Sequence, residues 1–148
     1  MFERFYHVNI CVSDMDLAID FYTALGFVVD KDVSPRGADL TSHLGVKCQA
    51  LRAVILRFPQ ENSPMIDLVQ FIDPPSAAPP YQSLNNVGIA RLSFWTENFD
   101  HVLGHIKETA IEAFGPDVAY SSPTGEKLRT IIVKDPDGTA VQFVGAAS

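Results

Sequence analysis

The chain has little cysteine, little positive charge and no long apolar run. Its 148 residues include two cysteines, Cys11 and Cys48, which are too few for a disulfide scaffold and make a reducing cytoplasm the default compartment. Lysine and arginine number 11 against 18 aspartates and glutamates, so the formal net charge is −7. Because such a chain repels phosphate backbones, we expect no nucleic-acid partner.

Membrane association is not expected either. No apolar stretch approaches the roughly 20 residues that a helix needs to cross a bilayer. The first residues, Met1-Phe2-Glu3-Arg4, lack the basic and then apolar order of a signal peptide. With 47% hydrophobic and 20% charged residues, the composition is that of an ordinary globular protein.

One order of elements occurs twice along the chain. Residues 6–26 alternate with period two, change to helical spacing and stop at Gly26, which predicts a strand followed by a helix. Three more strands complete a β-α-β-β-β module, and a proline-rich linker at 73–86 precedes a second copy. The repeat predicts one domain over 1–148, with modules at about 5–72 and 87–146. The later predicted strands are 27–33, 48–58 and 65–72, then 89–96, 118–121, 128–134 and 139–144.

The first helix has apolar residues at helical spacing. Leu17, Phe21 and Leu25 follow at i, i+4 and i+8, with Ala18 and Tyr22 beside them. This spacing predicts that the stripe faces the core. Ser13 or Asp14 stands where an N-cap is required.

Three motifs occur in a characteristic order: His7-Val8-Asn9-Ile10-Cys11-Val12-Ser13-Asp14, Phe21-Tyr22-Thr23-Ala24-Leu25-Gly26-Phe27, and Asp135-Pro136-Asp137-Gly138 before the last strand. Together with the repeat, they resemble the vicinal oxygen chelate superfamily, which includes glyoxalase I, bleomycin resistance proteins and extradiol dioxygenases. The resemblance covers nearly the whole chain. It implies an α+β fold of two tandem βαβββ modules that form a curved mixed sheet around a central cleft. It does not imply one reaction, since the superfamily hosts several chemistries and non-catalytic binders.

The resemblance also implies where the site lies. Metal enzymes of this superfamily mostly place a histidine on the first strand and a glutamate on the fourth strand of each module. By position these become His7, Asp67, Arg91 and Gln142 here, and we expect the four to converge on one cavity. Gln70 is the alternative to Asp67. The odd spacing of the two lets only one face the cleft, and we favour Asp67.

Arg91 departs from the metal-enzyme pattern. A guanidinium keeps its charge and has no lone pair to donate to a metal, and it repels a nearby divalent cation. We therefore expect no metal cofactor. Residual chelation of a divalent metal by His7, Asp67 and Gln142 is the alternative.

Two functions from different classes fit these residues. The first is a glyoxalase-like lyase or isomerase (an epimerase, for example) that moves a proton next to a carbonyl. Its base would be His7 or Asp67, and Arg91 would replace the metal as the electrophile. The second is a metal-free protein of the bleomycin-resistance type that sequesters a small molecule. Extradiol cleavage is disfavoured, because it needs two histidines and a carboxylate on iron. The predicted substrate-binding residues are Asn9, Ser93, Trp95 and Gln142, with Trp95 as an aromatic pocket wall.

Two further expectations concern assembly and a loop. The predicted strand edges need cover, so we expect a homodimer. The stretch at 36–46 contains glycine and serine, and the sequence leaves open whether it is a lid over the site or a plain connection.

Overall fold

The structure of the chain, a computed structural model, describes residues 1, 3–37, 44–60, 63–76 and 78–147, with the backbone alone at 34–37. The 36–46 stretch, with its alternatives of lid and connection, falls in part outside the described residues, at 38–43. The elements in chain order are β1 (His7–Cys11), α1 (Met15–Ala24), β2 (Val28–Gly37), β3 (Ala50–Arg57), β4 (Met65–Asp73), β5 (Leu92–Thr96), α2 (Phe99–Glu108), β6 (Val118–Ser121), β7 (Lys127–Lys134) and β8 (Ala140–Ala146).

The chain divides into two compact units, Met1–Ala78 and Pro79–Ser148. The division falls within the predicted linker at 73–86. Each unit has one helix and one four-stranded sheet, in the orders β1-β4-β3-β2 and β5-β8-β7-β6. The first strand of each unit runs parallel to the fourth, and the other neighbours are antiparallel. The predicted α+β fold of two βαβββ modules is confirmed.

The first unit buries only part of the predicted stripe of α1. Asp14 caps the helix, because its Oδ1 accepts hydrogen bonds from the backbone nitrogens of Asp16 and Leu17. The buried residues are Met15, Ala18 and Tyr22, whereas Leu17 is 56% exposed. The prediction that Leu17 faces the core was wrong. The small Ala18 lies in the centre of the inward face, and Tyr22 packs edge-on against Phe27 with ring centroids 6.0 Å apart.

The second unit repeats this arrangement with other side chains. Asn98 caps α2 by accepting a hydrogen bond from the His101 backbone nitrogen at 3.0 Å. Phe99, Leu103 and Ile106 are the buried residues of the helix. Gly145 on β8 is required by close approach, since a Cβ at this position would lie 2.7 Å from the carbonyl oxygen of Thr96.

An arginine ties the helix to the sheet in each unit. In the first, Arg52 of β3 donates to Asp16 and Asp32 at 2.7 and 2.8 Å. In the second, Arg129 of β7 donates to Asp100 and Asp117 at the same two distances. Hydrogen bonding to Arg129 lowers the pKa of Asp117 below its ordinary value of 3.8.

The described residues contain no helix that is both long and apolar enough to span a membrane.

Candidate functional site

Strand register fixes which residues share a face. Asn9 lies opposite Asp67 in the parallel pair β1–β4, and Ser93 lies opposite Gln142 in the parallel pair β5–β8. Asp67 therefore holds in the first unit the position that Gln142 holds in the second. Gln70 lies elsewhere, because its amide donates to the Ser13 carbonyl oxygen at 2.7 Å, just before α1. Since side chains alternate along β4, Asp67 and Gln70 point to opposite faces of the sheet.

A carboxylate, an amide and an imidazole meet in the first unit. Asn9 Nδ2 donates to Asp67 Oδ2 at 3.2 Å, and His7 Nε2 lies 3.9 Å from the same oxygen. The separation from His7 is within ion-pair range but too long for a hydrogen bond. The side chains of His7 and Asp67 are 35% and 18% exposed. Asp67 Oδ1 and His7 Nδ1 are buried, and neither has a hydrogen-bond partner among the described residues.

The surface beside Asp67 is apolar. Val69 and Phe71 follow Asp67 at two-residue steps on β4 and so share its face. Leu51 lies opposite Phe71, and Ala53 lies opposite Val69; these four residues and Cys48 pack together. Because water is scarce next to such a surface, the electrostatic interactions of the carboxylate are stronger than in bulk solvent.

The second unit has a chain of three hydrogen bonds on the corresponding face. Arg91 Nε donates to Gln142 Oε1 at 2.7 Å, and Gln142 Nε2 donates to Thr130 Oγ1 at 2.8 Å. The Thr130 hydroxyl in turn donates to the Phe143 carbonyl oxygen at 2.9 Å. The sequence patterns did not predict a role for Thr130. Its signal was a single hydroxyl in the otherwise apolar run Thr130-Ile131-Ile132-Val133, but placing it beside Gln142 requires the β7–β8 register.

The remaining predicted residues lie along β5. Ser93 and Trp95 alternate with Leu92 and Phe94, so they share one face of this edge strand. Trp95 is 56% exposed, and its indole nitrogen donates to Glu97 Oε1 at 2.7 Å. Phe94 points the other way and packs near Phe143, with ring centroids 6.3 Å apart. Trp95 is thus an exposed aromatic surface rather than part of the core.

The Asp-Pro-Asp-Gly turn positions Gln142. Asp135 is 4% exposed, and its Oδ1 accepts hydrogen bonds from the backbone nitrogens of Asp137 and Thr139 at 3.0 and 2.7 Å. Gly138 has φ +97°, a conformation that glycine adopts without steric cost. The turn holds the start of β8, so Gln142 enters the sheet in register with Ser93.

The described residues of each unit offer few donors to a divalent cation. The described residues contain no group of three or more His, Cys, Asp or Glu side chains that could hold one. His7 and Asp67 supply two donors in the first unit. In the second, Arg91 supplies none, and the Gln142 carbonyl oxygen already accepts the Arg91 hydrogen bond. Structural and catalytic zinc sites use three or four protein ligands.

The structure thus brings His7, Asn9 and Asp67 together in one unit, and Arg91 and Gln142 together in the other. The convergence of the two sets on one cavity stays a prediction.

Comparisons with known proteins agree with the fold. A search of curated proteins found no match. Among solved structures, a glyoxalase family protein from Bacillus cereus has a TM-score of 0.87 and 21% identity, covering 100% of this chain and 97% of that chain. A glyoxalase family protein from Enterococcus faecalis has a TM-score of 0.65 and 23% identity, covering 97% of this chain and 98% of that chain. A virulence protein from Salmonella typhimurium has a TM-score of 0.59 and 23% identity, covering 99% of each chain.

A family model matches residues 4–143, which is most of the chain. The resemblance drawn from the sequence motifs is therefore confirmed. The chain belongs to the Glyoxalase/Bleomycin resistance protein/Dioxygenase superfamily.

Proposed function

We propose that this chain is a small-molecule enzyme that moves a proton at a carbon next to a carbonyl, as a glyoxalase-like lyase or isomerase does. The observation that carries the proposal is the pair of His7 and Asp67. They lie 3.9 Å apart, and each has one buried polar atom without a partner among the described residues. Polar atoms in such positions normally have hydrogen-bond partners. The side chains of His7 and Asp67 are still 35% and 18% exposed, so the pair is suited to a partner that a substrate supplies.

In this proposal His7 transfers the proton. Imidazole is the side chain whose titration falls closest to neutral pH, which suits a general acid or base. Asp67, whose Oδ2 lies 3.9 Å from His7 Nε2, orients the imidazole. Asn9 fixes the carboxylate by donating to the same oxygen that faces His7.

Arg91 takes the negative charge that forms on the substrate oxygen. Removing a proton next to a carbonyl produces an enolate, and a fixed cation near its oxygen lowers the barrier. No metal is needed for this step if a guanidinium supplies the charge. Gln142, Ser93 and Trp95 complete the proposed binding surface. The sequence-based expectation that both units act on one molecule is part of the proposal.

Solvent exchange tests the reaction and does not require the product to be identified. The protein is incubated in D₂O with a panel of small carbonyl compounds, and proton NMR follows the signal of the carbon next to the carbonyl. We expect one class of compound to lose this signal. The variant H7Q should slow the exchange by about a hundredfold or more, the usual range for a general acid or base. H101Q, which alters an exposed histidine on α2, is the matched control and should exchange at the wild-type rate.

A binding protein is the second candidate, and the exposure of Trp95 favours it. A surface indole that is 56% exposed offers a flat apolar face to a planar ligand. The same experiment separates the two functions. A compound that raises the Tm and saturates in titration, yet keeps all its protons, would replace the enzyme proposal with sequestration.

A further inference from the structure

We propose that Arg91 is the receptor for a carboxylate on a planar, aromatic substrate, and that Thr130 is the positioning residue that aims it. The inference deepens the proposed function, because the carboxylate is the carbonyl group whose oxygens take the negative charge that Arg91 stabilises. It rests on that function for the statement that the ligand is a substrate. The anion site itself is argued from the second unit alone.

The hydrogen-bond direction from Thr130 to Arg91 is fixed. A threonine hydroxyl has one hydrogen, and Thr130 gives it to the Phe143 carbonyl, which can only accept. The hydroxyl oxygen must then accept from Gln142, so the amide NH₂ of Gln142 points toward Thr130. The amide oxygen therefore points toward Arg91, where it accepts from Nε. The backbone of β8 thereby sets the orientation of the Gln142 amide.

This arrangement leaves the terminal nitrogens of Arg91 available. Because Nε is occupied by Gln142, the guanidinium presents its Nη1–Nη2 edge, and two parallel N–H bonds on one edge match the two oxygens of a carboxylate. Arg91 is exposed, so a ligand can reach this edge from solvent.

The charge of Arg91 is also uncompensated, unlike that of the arginines on β3 and β7. Arg52, Arg57 and Arg129 each bind an aspartate within their own unit. Among the described residues, Arg91 forms no ion pair and is held by a neutral amide instead. In a chain of net charge −7, a cation that is fixed in place but unpaired is suited to an anionic ligand.

The neighbours on β5 favour an aromatic acid over a small inorganic anion. From Arg91 the same face continues with Ser93 and then Trp95, at steps of about 6.6 Å along the strand. The short Ser93 side chain leaves room between the cation and the exposed indole. A ligand with a carboxylate at one end and a flat apolar body can bind both Arg91 and Trp95.

Titration with trans-cinnamate tests the site. Trp95 is the single tryptophan of the chain, so its indole N–H gives one assignable signal in ¹⁵N-resolved NMR. We expect saturable shifts of this signal and of the Arg91 Nε–H signal. Cinnamamide, which lacks the charge, should bind at least about tenfold more weakly, because charge-assisted hydrogen bonds are lost. Acetate should shift Arg91 but not Trp95. If cinnamate leaves the Arg91 signal unmoved, the proposal is wrong.

Variants of Thr130 test its role as a positioning residue. T130V should weaken cinnamate binding about tenfold, since the Gln142 amide loses its acceptor and can present NH₂ to Arg91. T130S keeps the hydroxyl and should restore affinity. T109V is the matched control. Thr109 Oγ1 also donates to a backbone carbonyl, that of His105, but it accepts no hydrogen bond from another side chain among the described residues. Equal weakening by T130V and T109V, or no rescue by serine, would contradict the assignment.

This titration is an equilibrium measurement and needs no turnover. Cinnamate binding with no proton exchange in any compound would leave the anion receptor standing and overturn the proposed reaction. Proton exchange with no response at Arg91 would overturn the anion receptor and leave the proposed reaction standing.

Discussion

Arg52 and Arg129 make the same two contacts in the two units. Each donates to one aspartate in the first turn of its own helix, Asp16 or Asp100, at 2.7 Å. Each also donates to a second aspartate at 2.8 Å. This is Asp32 on β2 in the first unit and Asp117, directly before β6, in the second. The arginine–aspartate contacts that join helix and sheet are therefore the same in both units, whereas the residues at the candidate site differ between the units.

The pH dependence of stability should reflect the hydrogen bond between Arg129 and Asp117. Arg129 lowers the pKa of Asp117 below 3.8, so the folded protein binds this proton less readily than the unfolded chain. The stabilisation is present above the unfolded pKa and is lost as pH falls through the lower folded pKa. R129Q should therefore flatten the acid limb of the stability curve below about pH 4. Urea unfolding followed by circular dichroism across this range is the measurement.

The control for this prediction is D117N. It should flatten the acid limb in the same way, and the double variant should add little to either single change. An acid limb unchanged in R129Q would show that Asp117 does not carry the effect.

Two glycines should respond to alanine in opposite directions. In G145A the new Cβ would lie 2.7 Å from the Thr96 carbonyl oxygen, and such overpacking costs about 1–3 kcal/mol. In G104A, inside α2, the Cβ meets nothing within 4 Å, and replacing glycine in a helix stabilises by about 0.5–1 kcal/mol. Free energies of unfolding in urea test both. A neutral G145A would mean that β8 and β5 approach less closely than the 2.7 Å contact requires.

Asn9 should affect the rate of proton exchange through its hydrogen bond to Asp67. N9A removes the hydrogen bond to Asp67 Oδ2, so the carboxylate is less well placed beside His7. We expect proton exchange to slow about tenfold, as when other supporting hydrogen bonds are removed. C11A changes an exposed residue further along β1 and should keep the rate within about twofold of wild type. Equal rates in N9A and wild type would remove Asn9 from the site.

Metal content should depend on the residue at position 91. Purified without chelator, the wild type should carry less than one equivalent of Zn, Ni, Fe or Mn. The double variant R91H/Q142E removes a positive charge, adds a negative one and, with His7 and Asp67, gives two imidazoles and two carboxylates, which suit a first-row divalent metal. Elemental analysis of both proteins is the test.

Each adverse outcome of that experiment has a distinct meaning. One full equivalent of metal in the wild type would contradict the role given to Arg91. A folded double variant without metal would mean that the four positions do not meet.

The oligomeric state follows from exposed edges and apolar residues. Each sheet ends in edge strands, and strand edges tend to be covered by other chains or elements. Val87 and Ile89, before β5, are 99% and 81% exposed. We expect a homodimer in light scattering at low micromolar concentration. A 16.2 kDa species alone would contradict it.

The repeat made most of the fold predictable. Alternating apolar residues placed β1, β4 and β8, and strand parity placed Asp67 and Gln70 on opposite faces. In the structure Asp67 is bonded to Asn9 and Gln70 to the Ser13 carbonyl oxygen, as opposite faces require. Strand ends were less accurate, since β5 begins at Leu92 rather than at residue 89.

The errors arose where the sequence carried two compatible patterns. In α1 both Met15 and Leu17 flank the apolar stripe of Ala18 and Tyr22, and only packing on the sheet decides that Met15 is buried and Leu17 exposed. Thr130 could not be found for another reason. Its contact with Gln142 depends on the antiparallel register of β7 and β8, which spacing along the chain does not give.

The fixed orientation of the Gln142 amide has a consequence for how this site can evolve. Because the amide oxygen is held outward by the Thr130 hydrogen bond, it remains an acceptor whatever residue occupies position 91. Replacing Arg91 by a small side chain would expose this carbonyl oxygen and turn a subsite for anions into one for ammonium or hydroxyl groups. A single substitution could therefore invert ligand preference while the sheet beneath stays unchanged.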